Sequence, residues 1–182
     1  MRLRRRWRIA GEQRGYTLVE MLVVLSILGV VMSGLTTLFV NASHAETDMN
    51  ARFQAQQTAR LALDKLRREV HCASGATPSG ASSSITITLP TYCKTGSGSI
   101  TWCTRSVATS RYALYRIAGT SCTGGVKWAD YLTLQNVFNY SAPVSQTSLA
   151  LLHVDLPVNV QPSRSAGAYQ LSDDLVLRNT SR

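Results

Sequence analysis

Residues 16–40 read YTLVEMLVVLSILGVVMSGLTTLFV, 25 residues in which Glu20 is the only charge. About 20 apolar residues cross a bilayer core as a helix. A secretory h-region is shorter, about 7–15 residues, and ends at a small-residue cleavage site; no A-x-A site follows close behind Val40. Upstream lie Arg2, Arg4, Arg5, Arg6, Arg8 and Arg14 against Glu12 alone, so this segment carries much of the formal net charge of +9. A basic cluster ahead of an apolar span holds its own side in the cytoplasm. The segment therefore predicts a single-pass membrane anchor with its N-terminus in the cytoplasm and the chain beyond Val40 outside.

Glu20 does not fit a plain anchor. A carboxylate in hydrocarbon costs about 2.5–3.5 kcal/mol on insertion scales, so it is expected to have a partner or a task. Cleavage after Gly15 would make Tyr16 the new N-terminus, with its amine four residues before Glu20. That amine would reach Glu20 within one helical turn or on a neighbouring helix. The run Arg14-Gly15-Tyr16-Thr17-Leu18-Val19-Glu20, followed by Met21-Leu22-Val23-Val24-Leu25, resembles the precursor signal of type IV pilins and type II secretion pseudopilins. The resemblance implies processing by a prepilin peptidase: recognition at Arg14 and Gly15, cleavage of Gly15–Tyr16, and methylation of the Tyr16 amine. It also implies that Glu20 aligns the subunit during assembly. The family usually carries Phe where this chain has Tyr16. Many major pilins have a Pro in the second half of the apolar helix; here none occurs between Tyr16 and Ala76, and Gly29, Ser33 and Gly34 are the softer positions.

Beyond Val40 the chain turns polar, with no helix breaker before Gly75. Met49, Phe53, Leu63, Leu66 and Val70 fall near one helical stripe, with Ala59 and Ala62 beside it. A continuous helix to Cys72 is expected, with Asp64 available to Arg60 or Arg68. Residues 57–70 (QTARLALDKLRREV) are similar to the corresponding helix of minor pilins and minor pseudopilins of the W and J kinds. The segments expected are a leader over 1–15 that is removed, a membrane or filament-core helix over 16–40, its amphipathic continuation over 41–72, and a β-rich outer domain over 73–182.

The outer domain opens on SGATPSGASSS (74–84), read as a small-residue loop. Strands are expected over 84–89, 99–104, 112–117, 131–134, 149–156 and 174–178, while Pro157 and Pro162 argue against a central strand. The result is an α+β, pilin-like fold: a long N-terminal helix packed on a C-terminal antiparallel sheet, expected to be a meander. Cys72, Cys93, Cys103 and Cys122 suggest two disulfides on the outer side of the membrane. Of three connectivities, meander ends would favour Cys72–Cys103 with Cys93–Cys122.

Candidate chemistry is sparse. His44, His71 and His153 are scattered; His153 and Asp155 share a strand face. Asp173 and Asp174 are a weak pointer to calcium. No phosphate loop, dinucleotide fingerprint or metalloprotease motif occurs. The reading is a non-enzymatic filament subunit, a minor pilin or pseudopilin, with no cofactor, metal or small-molecule substrate. Its partners are prepilin peptidase, other pilins or pseudopilins, and the membrane. Two alternatives stand beside it: a competence-type pilin whose basic residues hold DNA, and a signal-anchored extracellular domain of other function.

Overall fold

The structure is a computed structural model that describes residues 15–144, 148–161 and 168–179. These residues divide into two compact units between Thr47 and Asp48. One helix, α1 (Leu18–Cys72), contributes to both. In the first unit it stands alone, with its apolar side chains exposed.

In the second unit α1 packs on a nine-stranded antiparallel sheet. The strands are β1 (Gly75–Thr77), β2 (Gly80–Ser82), β3 (Ser84–Leu89), β4 (Gly98–Ala108), β5 (Arg111–Ala118), β6 (Val126–Leu132), β7 (Phe138–Ser141), β8 (Ala150–Val158) and β9 (Tyr169–Leu177). The helix buries Ala55, Ala59, Ala62, Leu63, Leu66, Glu69 and Val70. The three alanines bring the helix axis close to the sheet. Met49 and Phe53, expected on this stripe, are 70% and 65% exposed. Phe53 precedes Ala55 by two residues, which turns it to the opposite side of the helix. From the sheet, Ile85, Ile87, Trp102, Leu114, Leu152, Val154 and Leu175 complete the core. β8 shows the required alternation: Ala150, Leu152, Val154, Leu156 and Val158 point inward, every second residue.

Strands β3 to β6 form the expected meander, but the order then departs from it: β1-β3-β4-β5-β6-β8-β7-β2, with β9 on the other side of β8. The two ends of that path are joined through Pro78 and Ser79 alone, so the sheet curls back toward itself. β1 and β2 lie in what reads as a small-residue loop. They are three residues each of Gly, Ala, Ser and Thr, and backbone pairing with β3 and β7 makes them strands.

Pro157 lies within β8, contrary to expectation. Asp155 and Asn159 donate their N–H groups to Val137 and Tyr131 on the β6–β7 side. Position 157 faces the same way, into the gap between the end of β6 at Leu132 and the start of β7 at Phe138. The missing donor is not needed there, and the Pro157 carbonyl still accepts from Thr133 N at 3.0 Å. Pro162 lies outside the described residues.

The disulfides also differ from expectation: Cys72 joins Cys93, and Cys103 joins Cys122. Gly75 of β1 pairs opposite Thr88 near the end of β3, so the helix terminus arrives beside the turn that carries Cys93. Cys103 sits mid-strand in β4, and the β5–β6 loop folds back over that face. Thr101 Oγ1 donates to the Gly119 carbonyl at 2.7 Å and Arg105 to the Gly124 carbonyl at 2.9 Å. This places Cys122 over Cys103. Gly125 permits the fold-back: its φ is +82°, and a Cβ there would sit 2.6 Å from the Arg116 carbonyl oxygen. Peptide mapping of unreduced protein is expected to recover these two pairs. With partners 21 and 19 positions apart in sequence, losing either bridge by a Cys→Ser pair should cost about 3 kcal/mol in a denaturant melt.

Candidate functional site

Gly15, Tyr16 and Thr17 precede the helix, which begins at Leu18. Thr17 is its cap: its Oγ1 accepts the Glu20 backbone N–H at 3.3 Å, and its carbonyl accepts from Met21 N at 3.1 Å. Thr17-Leu18-Val19-Glu20 thus has the spacing of a capping box, with the acid at the third helical position. An acid there also meets the positive end of the helix dipole. The same two residues, Thr17 and Glu20, start the helix and define the sequence motif. Arg14 lies outside the described residues; Gly15 and Tyr16 are exposed in front of the cap.

The span beyond Glu20 hides its own polar groups. Ser26 donates to the Val23 carbonyl, Ser33 to Val30, Thr36 to Met32 and Thr37 to Ser33, all at 2.8–2.9 Å. Back-bonding of this kind lets hydroxyls sit in hydrocarbon without an unpaired donor. Glu20 is the only charged residue from Gly15 through Ser43. The helix is long and apolar enough to cross a membrane, which fits a membrane-anchored, single-pass protein.

The other candidate residues are drawn into separate local contacts. His71 Nδ1 lies 3.0 Å from the Val176 carbonyl oxygen. Asp173 accepts from Arg67 at 2.7 Å, and Arg67 also reaches Asp64, three residues back, so Asp64 pairs with neither Arg60 nor Arg68. Arg60 instead donates to the Tyr169 hydroxyl. His153 faces Asp174 across the β8–β9 ladder at 2.6 Å, while Asp155 accepts from Gln170. Ser172 Oγ stands 3.5 Å from His153 Nε2. The order Ser–His–Asp is that of a nucleophilic triad, but all three residues lie on an open sheet face, and 3.5 Å is too long for an aligned proton transfer. Among the described residues no group of three His, Cys, Asp or Glu could hold a metal ion.

Two polar clusters escaped sequence reading. Glu69 is completely buried, and accepts from Trp102 Nε1 at 2.8 Å and from Arg116 at 2.8–2.9 Å, with Lys65 at 3.3 Å. Its signal was available: Glu69 falls three residues after Leu66, on the buried stripe. Asp130 gathers Arg111 and Lys127, both at 2.9 Å. Burial pushes the Asp130 carboxyl up, but hydrogen bonds from Arg111, Lys127 and the Tyr131 N–H outweigh it and hold the group below the usual carboxylate range. The first cluster ties the helix to the sheet; Asp130 and Lys127 of the second line an open cleft of about 250 Å³ between α1 and β6.

No curated protein and no solved structure matches the chain. Residues 12–36, which contain the capped helix start, its lone acid and the first half of the apolar span, match the prokaryotic N-terminal methylation motif, the cleavage signal of type IV pilin and pseudopilin precursors.

Proposed function

We propose that the chain is a structural subunit, a minor pilin or pseudopilin, of a type IV pilus or type II secretion-like filament. The motif is that of a structural, non-enzymatic family processed by prepilin peptidase. In this reading the leader over 1–15 is removed, and 16–40 serves first as a membrane anchor and then as filament core. Residues 41–72 carry the helix onto the outer domain over 73–182. One observation carries the proposal: an exposed apolar helix with every span hydroxyl satisfied internally has a single acid, held one turn inside its start. Such a helix moves between lipid and a bundle of like helices at little cost, because both surroundings are apolar. Its acid marks the end that the cleavage would expose.

The test is co-expression with a prepilin peptidase, followed by intact mass and N-terminal sequencing. A chain beginning at methylated Tyr16 is expected. An unprocessed chain in the presence of active peptidase would return the segment to a plain anchor.

The competence-type alternative needs cations free to meet phosphate. Arg67, Arg111, Arg116 and Lys127 are all committed to carboxylates.

A further inference from the structure

Strand β6 is bulged against β5 in two places. Tyr112 pairs with Leu132 and Leu114 with Ala129, so two steps on β5 meet three on β6, and the next pair, Tyr115 with Lys127, skips Trp128. Tyr131, inside the first bulge, has a φ of +63°, a left-handed backbone that a bulky side chain adopts only under strain. In a regular strand residues three apart face opposite sides. Here Lys127 reaches Asp130 at 2.9 Å, and Trp128 and Tyr131 line the same cleft of about 250 Å³ against α1. The bulges thus bring together two aromatic residues that a regular strand would separate. Bulges that re-aim side chains in this way are common beside active sites. From the helix, Ala51 and Ala55 leave the cleft open, and Gln54 and Thr58 add polar groups to its wall.

The cleft is rich in donors and poor in acceptors. Its one carboxylate is spent, because Asp130 accepts from Arg111, Lys127 and the Tyr131 N–H. Trp128 Nε1 and the Gln54 amide make no hydrogen bond among the described residues, and the Lys127 ammonium has two further protons. Arg111 lies 3.8 Å from the centre of the Tyr131 ring, and Trp102 packs on Trp128 at 5.8 Å, so both rings are held in place before any ligand arrives. We propose that this cleft binds a proline-rich segment of a partner protein in the extended polyproline II form. Such a segment offers apolar rings, a row of carbonyl acceptors without N–H groups of its own, and little conformational entropy to lose. A sugar would suit the two rings as well, but its hydroxyls also need acceptors, and Asp130 has none to spare. The proposal does not depend on filament assembly.

The experiment uses the full chain in uncharged detergent micelles and a fluorescein-labelled proline decapeptide, read by anisotropy. Saturable binding is expected, nearly independent of salt because no ion pair forms with the peptide. A labelled Gly-Ser decapeptide should bind at least about tenfold more weakly, since it must be ordered from a coil. Trp128→Phe keeps a ring but loses the donor, and should weaken binding about fivefold. Tyr131→Gly removes one wall while suiting the left-handed backbone, and should weaken binding at least about tenfold. Thermal melts confirm that both variants fold. Absence of saturable binding overturns the proposal. So does binding that neither substitution weakens, which would place the peptide elsewhere on the chain. Displacement of the labelled peptide by an equal concentration of cellohexaose would make the cleft a sugar site and overturn it as well.

Discussion

Replacing Glu69 by Ala is expected to lower the unfolding free energy by about 3 kcal/mol, more than any exposed charge substitution in the chain. Glu69 is fully buried between α1 and the sheet and answers three donors at once. Without it, the Trp102 Nε1 proton has no acceptor in a position with no solvent access, a loss of about 1–3 kcal/mol. Arg116 and Lys65 lose their counter-charge, but their side chains are 21% and 26% exposed and can partly rehydrate. Their share is therefore smaller than the full penalty of about 3–5 kcal/mol for breaking a buried pair. The vacated volume adds a cavity term. Glu69→Gln keeps an acceptor for Trp102 and should cost less, about 1–2 kcal/mol. Asp64→Ala removes a partner of Arg67 that is 54% exposed and should change stability by less than about 1 kcal/mol. Urea melts of the three variants with disulfides intact check the ranking. If Glu69→Ala melted with Asp64→Ala, the buried carboxylate would not be what fastens the helix to the sheet.

This buried acid shows where sequence reading stops. The apolar span and the motif over residues 12–36 are legible because their meaning is local: a run length, a charge out of place and a spacing of one helical turn. Strand β3 is legible for the same reason, since Ser84–Leu89 alternates without exception. The sheet order and the disulfides are not local properties. Cys103 meets Cys122 because a loop folds back onto the outer face of β4, and no periodicity records that fold-back. β1 and β2 carry almost no apolar side chains, so only the presence of a partner backbone makes them strands. Glu69 falls between. Its position on the buried stripe can be counted from Leu66, but its partners Trp102 and Arg116 are 33 and 47 residues away.

For Glu20→Ala the expected outcome is normal cleavage with filament incorporation reduced at least about 30-fold. Cleavage should survive because the proposed cut lies at Gly15–Tyr16, and the helix start does not need the Glu20 side chain. The bond that caps it runs from the Glu20 backbone N–H to Thr17 Oγ1, and Ala keeps that donor. Incorporation should fail for an electrostatic reason. In the proposed function, removal of residues 1–15 would leave the Tyr16 amine as a positive charge at the head of an apolar helix, and in the filament it would leave the aqueous boundary. A carboxylate about 4 Å away attracts it by about 4 kcal/mol at an effective dielectric of about 20. Desolvation of both groups takes back part of this. A net of about 2 kcal/mol corresponds to about 30-fold in incorporation. Glu20→Gln separates charge from capping: it retains a hydrogen-bonding side chain at the third helical position but cannot neutralise the amine, so it should fail as Ala does. The readouts are the mass of the processed chain in membranes and its amount in sheared filaments relative to a major subunit. Wild-type incorporation of Glu20→Gln with failure of Glu20→Ala would mean that the side chain acts by hydrogen bonding at the helix start. The amine would then find its counter-charge elsewhere.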